Sequence, residues 1–289
     1  MASTQVLKQR IRSVKNTKQI TKAMQLVAAS KMRRAQETTK ASAPYSLAAR
    51  ELLTSISRHE SVKGHALFLN RPISCRLLIV VASDKGLAGA YNSNVMKMYA
   101  EELKLDSQSG VQNMTITIGR KAAQFVARIK GIDVIGSYED LPEDSDSHEF
   151  RAILNTARDE FISRKVDAVD IIFTEFVSSI RQEAGVTRIL PAGFEPMIEP
   201  GIEVDAEYEP GVSKVLDAIA FRLVEAQIFQ ALLDARASEH SMRMLAMKNA
   251  TDNATDLVDD LTLAMNKSRQ GAITQELAEI SGGVEALNL

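Results

Sequence analysis

Residues 212–270 read VSKVLDAIAFRLVEAQIFQALLDARASEHSMRMLAMKNATDNATDLVDDLTLAMNKSRQ, and this stretch decides the fold. It contains neither glycine nor proline, which cost about 1 and 3 kcal/mol in a helix interior, and it is rich in Ala, Leu, Met, Glu and Arg. We therefore expect one unbroken helix, which would be about 90 Å long at about 1.5 Å per residue. Helices of globular proteins usually have roughly 8–20 residues, so this helix is expected to extend beyond the folded body of the chain.

A regular apolar pattern along this helix predicts a coiled coil. When the helix is followed in alternating steps of four and three residues, thirteen of sixteen positions are apolar. A seam that repeats every 3.5 residues favours a left-handed coiled coil, and the length argues against the alternative of a core helix in a bundle. The sixteen positions are Val212, Leu216, Ile219, Leu223, Ala226, Gln230, Leu233, Ala237, His240, Met244, Met247, Thr251, Ala254, Val258, Leu261 and Met265.

The N-terminal segment is the expected partner of this helix. Residues 3–43 also lack glycine and proline, and Ser3 or Thr4 is a suitable N-cap. Residues 1–43 carry a charge of +9, which complements the charge of −4 on residues 211–289. These charges do not decide between a parallel and an antiparallel pair, although two helices that enter one folded body must be antiparallel. The predicted apolar stripe, which changes phase after Val14, consists of Leu7, Ile11, Val14, Ile20, Met24, Val27, Met32 and Ala35.

The basic helix suits nucleic acid, anionic lipid or an acidic protein surface. Residues 1–44 contain no aromatic side chain that would stack on bases. The basic residues lie on several faces, whereas a helix on a membrane surface has one apolar side. We therefore favour an acidic protein partner. The basic residues are Lys8, Arg10, Arg12, Lys15, Lys18, Lys22, Lys31, Arg33, Arg34 and Lys40.

The middle of the chain predicts an α/β domain. Residues 77–82 form a continuous apolar run, which is typical of a strand buried on both faces. Helices are expected to begin near Asn92 or Ser93, after Gly119 and near His148. Alternating strands and helices favour a mainly parallel, Rossmann-like sheet with helices on its faces. Further strands are expected over residues 114–118, 132–135, 169–177 and 186–190.

Length and composition fit a chain of three parts. Its 289 residues are 45% hydrophobic with a net charge of −2, which excludes a disordered polyelectrolyte. Cys75 is the only cysteine, which excludes an internal disulfide and a cysteine-based zinc site. We divide the chain into an N-terminal coiled-coil helix at 1–60, a central α/β domain at 75–210 and a C-terminal coiled-coil helix at 211–289.

No group of residues predicts catalysis. Residues 83–89, SDKGLAG, lie between a strand and a helix, where phosphates often bind. They match neither GxGxxG nor GxxxxGKS/T, so a tight turn is favoured and an enzyme with a phosphate loop is the alternative. The four histidines have no metal-binding spacing, and His240 lies on the predicted seam. We therefore expect no catalytic, cofactor-binding or metal-binding residue.

Three segments, in order along the chain, carry a resemblance to a known family. Residues 11–32 read IRSVKNTKQITKAMQLVAASKM, residues 83–89 read SDKGLAG, and residues 269–283 read RQGAITQELAEISGG. Together they resemble the γ subunit of F-type ATP synthase. The resemblance implies an antiparallel coiled-coil shaft inside a hexamer of α and β subunits, and an α/β foot that joins the ε subunit and the membrane ring of c subunits. Proton flow through the ring would turn the shaft and drive ATP synthesis or hydrolysis at the catalytic β subunits.

The resemblance also implies contacts, residue by residue. The implied contacts with β are Met24, Arg269, Gln270, Thr274, Glu276 and Glu279, and those with the ring are Glu207, Tyr208 and Glu209. The protein would have no catalytic residue of its own and would be peripheral, on the cytoplasmic face of a bacterial inner membrane. The alternative from another class is a coiled-coil adaptor or chaperone arm on an α/β domain.

Overall fold

The computed structural model describes residues 4–57, 65–142, 148–193 and 212–287. They form two compact units: a helix-pair unit, Met1–Ala28 with Arg243–Leu289, and a sheet unit, Ala29–Met242. A short 3-10 helix covers Ala66–Phe68. The α-helices are α1 (Thr4–Ser57), α2 (Tyr91–Ser109), α3 (Arg120–Val126), α4 (His148–Ile162) and α5 (Val212–Leu287). The strands are β1 (Cys75–Val81), β2 (Gln112–Ile118), β3 (Asp133–Tyr138), β4 (Ala168–Phe176) and β5 (Gln182–Leu190).

The predicted seam of α5 is confirmed in the helix-pair unit. Its positions there are buried or half-buried, while most positions between them are exposed. The buried seam residues are Met247, Thr251, Ala254 and Val258, and the half-buried ones are Met244, Leu261 and Met265.

The predicted stripe of α1 is wrong at Ile20 and Val27 and right elsewhere, since Met24, Met32 and Ala35 are half-buried. Leu7 and Ile11 are buried and Val14 is half-buried, but Ile20 and Val27 are 61% and 59% exposed. No change of phase occurs, because the seam continues in regular steps through the half-buried residues Lys18 and Thr21 and the half-buried Met24 and Gln25 to the buried Ala28. The predicted change of phase came from following the large apolar side chains instead of the regular spacing.

One hydrogen bond sets the register of the helix pair. Thr251 Oγ1 donates to Thr21 Oγ1 at 2.9 Å. An antiparallel pair with this register places Leu7 opposite Met265. The N-terminal end of α1 then lies opposite the residues that follow Met265, and every side chain of residues 269–281 is exposed. The end of α5 is therefore a single helix without a partner in the described part of the chain.

The sheet unit has the predicted mainly parallel α/β fold. Its strands are ordered β3-β2-β1-β4-β5, and only the edge strand β5 is antiparallel. Side chains alternate between the two faces of β1. Leu77, Ile79 and Val81 pack in a core with α1, α4 and α5, and Leu78 and Val80 pack in a second core with α2 and α3.

Helix α1 does not end at its first proline, because it continues beyond the proline-free stretch 3–43, through Pro44, to Ser57. Pro44 is exposed, and beyond it Ala49 and Leu53 are almost completely buried in the core of the sheet unit. A proline inside a helix costs about 3 kcal/mol, and the burial of these side chains offsets that cost.

Candidate functional surfaces

The turn at residues 83–89 lies at the carboxyl edge of the parallel strands, where α/β folds bind ligands. Its polar groups are occupied within the chain. The backbone N–H of Ser83 donates to Asn92 Oδ1 at 3.1 Å, and Asp84 Oδ1 accepts from the backbone N–H groups of Arg120 and Asp140 at 3.0 and 3.1 Å. The Asp84 carboxylate thus takes the place at the start of α3 where a phosphate would compete. Helix α2 begins at Tyr91, after Ala90, close to the predicted start near Asn92 or Ser93.

Helix α5 crosses the same edge and binds its carbonyl groups. Ser238 Oγ donates to the carbonyl oxygen of Thr174 at 3.1 Å, and Arg236 Nη2 donates to that of Leu141 at 3.3 Å. A cavity of about 50 Å³ remains between α5 and the strand ends. This edge of the sheet therefore anchors a helix, and the turn at residues 83–89 is held by bonds within the chain.

A buried charge network lies at the opposite, amino end of β1 and β4. Arg76 contacts Glu102 at 2.7 Å and Asp106 at 3.1 Å on α2, and it also contacts Asp170 of β4, which pairs with Arg188 of β5. Burial by itself would lower the pKa of Arg76, but the carboxylates, with Asp170 foremost, raise it. The network joins α2 to the strands β1, β4 and β5. Each buried charge in it has a partner of opposite sign, which offsets the cost of removing the charges from water.

A half-buried carboxyl group lines a second cavity in the sheet unit. This cavity of about 270 Å³ lies between α1, α5 and the strands β4 and β5. Asp234, Glu175 and Arg50 are its charged lining residues, and Gln230 Nε2 donates to Asp234 Oδ1 at 3.2 Å. Burial raises the pKa of Asp234 to about 7, against the hydrogen bond from Gln230 and with a smaller contribution from the charge of Glu175.

The unpaired end of α5 presents both polar and apolar groups to solvent. The predicted contact residues Arg269, Gln270, Thr274, Glu276 and Glu279 are all exposed. Thr274 Oγ1 donates to the carbonyl oxygen of Gln270 at 3.0 Å, and Glu279 accepts from Gln275 at 3.0 Å. Steps of four and three residues place the exposed apolar side chains on one face of the helix; they are Ile273, Leu277 and Ile280.

The helix-pair part of α1 carries an apolar surface that the sequence analysis missed. Met24 is half-buried beside the seam, whereas Ile20, Leu26 and Val27 are exposed by 59–61%. Uninterrupted steps of four and three residues from Val14 would have identified Ile20 and Val27 as surface residues. All the basic residues of α1 within 1–43 are exposed except Lys18, which is half-buried.

Three predicted contact residues, Glu207, Tyr208 and Glu209, lie outside the described residues. Within the part of the chain that the structure describes, no helix has the length and apolar character needed to cross a bilayer. The same described part contains no cluster of three or more metal-binding side chains.

Comparison with known proteins gives one family. A family model described as ATP synthase matches residues 3–287. The ATP synthase gamma chain of Ralstonia nicotianae is 37% identical over 292 aligned positions, covering 99% of this chain and all of that one. The gamma chain of Staphylococcus aureus is 36% identical, with 99% of this chain and all of that one covered.

Solved structures share the fold at low sequence identity. A chain of the Euglena gracilis mitochondrial ATP synthase, from a structure of its OSCP/F1/c-ring, has a TM-score of 0.70 and 17% identity, with 98% of this chain and 94% of that chain covered. A chain of the central stalk and c-ring of the Tetrahymena thermophila mitochondrial ATP synthase has a TM-score of 0.61 and 21% identity, with 80% of this chain and 99% of that chain covered.

Proposed function

We propose that this chain, which belongs to the ATP synthase gamma chain family, is the central-stalk rotor of an F-type ATP synthase. Proton flow through the membrane ring turns the chain, and its rotation drives synthesis or hydrolysis of ATP at the β subunits. The observation that carries this proposal is the antiparallel helix pair, which ends in a single exposed helix over residues 269–281. A two-helix coiled coil resists bending and twisting, so it transmits torque.

The parts of the chain take different roles in this proposal. The coiled-coil helices, assigned to 1–60 and 211–289, form the shaft inside the hexamer of α and β subunits. The α/β domain at 75–210 forms the foot, which binds the ε subunit and the c ring, with Glu207, Tyr208 and Glu209 facing the ring. The protein touches the membrane only through the ring, on the cytoplasmic face of a bacterial inner membrane.

The exposed residues of the shaft suit two kinds of contact with the hexamer. Polar groups such as Arg269, Gln270 and Glu276 make directional bonds that act as discrete stops for rotation, with Thr274 and Glu279 nearby. The apolar stripe around Leu277 has no such directional bonds, so it turns in an apolar sleeve. The basic face of α1 runs past acidic surfaces of β, where charge attraction orients the partners. Met24 faces the moving region of β.

Catalysis belongs to the β subunits in this proposal, and the chain contributes no catalytic residue. This division of labour is supported by the sheet unit, in which the turn at residues 83–89 is held by bonds within the chain.

Purification of the tagged full-length chain from its own cells tests the proposal. We expect α and β to copurify in equal amounts, each in excess over the chain, together with ε. A chain that purifies without α and β would contradict the rotor function and favour the adaptor.

A substitution tests the contact of Met24. In membrane vesicles, Met24→Lys should lower the number of protons pumped per ATP hydrolysed more than it lowers assembly. The exposed substitution Asn16→Lys adds the same charge to the same helix and serves as the control. Equal coupling in the two variants would refute the assignment of Met24.

A further inference from the structure

The turn between β4 and β5 connects both long helices within the sheet unit. Gln36 Nε2 of α1 donates to Ser179 Oγ at 3.1 Å. Ser241 Oγ of α5 donates to the carbonyl oxygen of Ser179 at 2.8 Å. Gln182, the first residue of β5, donates to Ser241 Oγ at 3.2 Å and to the carbonyl oxygen of Ser178 at 2.7 Å. Two helices are thereby bonded to a single turn.

The turn also holds its own shape. The backbone N–H of Ser178 donates to the carbonyl oxygen of Arg181 at 2.9 Å. Ser178 Oγ accepts from the backbone N–H groups of Ile180 and Arg181 at 3.3 and 3.0 Å. Because its groups are bonded internally, the turn is a fixed point of attachment rather than a flexible loop.

On α5, two hydroxyl groups one helical turn apart are bonded to β4 and to the turn that follows it. Ser238 and Ser241 are both 0% exposed, and they donate to the carbonyl oxygens of Thr174 and Ser179. Rotation of α5 about its axis would leave these hydroxyls buried without acceptors, at about 1–3 kcal/mol each. Ala235, which is also buried and lines the small cavity at the strand ends, is small enough to let the helix lie close to them.

These bonds occur where both helices leave the sheet unit along the chain. The sheet unit begins at Ala29 of α1 and ends at Met242 of α5, a few residues from Gln36 and Ser241 respectively. Gln36 and Ser241 therefore lie near the ends of the helix segments that belong to the sheet unit.

We propose that the β4–β5 turn, bonded to Gln36, Ser238 and Ser241, is a torque-bearing clamp that prevents the two helices from twisting against the sheet. The proposal rests on the rotor function proposed above. These residues are positioning residues, since they act through the orientation of the shaft.

Single-molecule rotation of the assembled complex tests the clamp. The hexamer is fixed to a surface, and a rod is attached through Lys130→Cys, an exposed position of the sheet unit. In the double variant Ser238→Ala with Ser241→Ala, the angular variance during pauses should rise about twofold, since the bonds from α5 to Thr174 and Ser179 are lost. ATP hydrolysis should stay near the starting rate, and protons pumped per ATP in vesicles should fall. Ser109→Ala is the control, because this exposed serine bonds only to its own helix.

The outcomes separate the two proposals. A hexamer that carries the unsubstituted chain but does not rotate would overturn the rotor function itself. Normal rotation with an angular variance equal to that of the Ser109→Ala control would overturn only the clamp. If the double variant does not assemble, Gln36→Ala is used instead, because it removes one exposed hydrogen bond to the turn. The angular variance during pauses should rise in this variant too, and an unchanged variance would overturn the clamp.

Discussion

Ionisation of the Asp234 carboxyl group should weaken the packing of the long helices against the sheet as the pH rises. Burial raises its pKa to about 7, so the folded state favours the protonated form. In the unfolded chain the Asp234 carboxyl has the ordinary aspartate pKa of about 3.9. Asp234→Asn removes the titration, keeps the side-chain shape and retains an oxygen that accepts from Gln230.

The size of the effect follows from linkage between protonation and folding. A raised folded-state pKa contributes stability that is complete below the unfolded pKa and is lost as the pH rises to the folded pKa. Between pH 5.5 and about 7 the unfolded carboxyl is ionised while the folded one keeps its proton. Each pH unit in this window removes about 1.4 kcal/mol, so about 2 kcal/mol is lost by pH 8.5. Because Asp234 is only half-buried, solvent screening reduces this to about 1–2 kcal/mol.

Hydrogen exchange in the assembled complex measures this loss. Amides of residues 43–50 and 227–234, which contain the helical lining of the cavity, are compared between the unsubstituted chain and Asp234→Asn at each pH, so that intrinsic exchange rates cancel. From pH 5.5 to 8.5 the protection of the unsubstituted chain should fall by about tenfold relative to the variant. A ratio that does not change with pH would refute the reasoning, because it would mean that Asp234 ionises equally well in the open and closed states.

Three further substitutions have defined outcomes. Gly119→Ala should destabilise the full chain by more than about 3 kcal/mol in urea unfolding, because residue 119 has a φ of +91° and the added Cβ would lie 2.1 Å from a backbone oxygen. The control Gly110→Ala, at a φ of +74° with open space around it, should cost about 1 kcal/mol. Equal losses of stability in the two variants would contradict the steric argument. Arg76→Leu should lower stability by about 3–5 kcal/mol, far more than Arg120→Leu at an exposed ion pair, as thermal unfolding would show; similar losses would mean that burial is unimportant. Leu277→Lys should slow ATP-driven rotation several-fold, because it places a charge in the proposed apolar sleeve. Removal of the last few residues should slow rotation less. Equal rotation rates in the two variants would contradict an apolar sleeve.

Periodicity predicted α5 well and α1 only in part, for a physical reason. The seam of α5 from Met244 to Met265 is apolar at every position but Thr251, so side-chain character and spacing agree. In α1 they disagree at Lys18 and Thr21, and spacing prevails. Thr21 is tolerated on the seam because Thr251 lies opposite and bonds to it. A single helix does not reveal which hydroxyl its partner supplies.

The sheet was predictable for a similar reason, and its junction with the helices was not. The strand β1 is apolar on both faces, as a central parallel strand requires. The bonds of Ser238 and Ser241 join α5 to residues about 60 positions earlier in the chain. In the sequence these serines are only polar interruptions between seam positions, and their partners are backbone carbonyls that no side-chain pattern encodes.

The distribution of apolar side chains on the shaft has a consequence for the isolated chain. On α1 the seam uses Thr21 and Ala28, while the larger Ile20 and Val27 face outward. On α5 the side chain of Leu277 is 62% exposed. Exposed apolar surface of this kind marks a site that a partner covers, or a surface that aggregates. The helix pair therefore leaves several large apolar side chains outside its seam, and we expect the chain to aggregate when made alone and to stay soluble when coexpressed with α and β. Light scattering of the two preparations distinguishes these cases, and a monodisperse isolated chain would show that the outward apolar surface needs no cover.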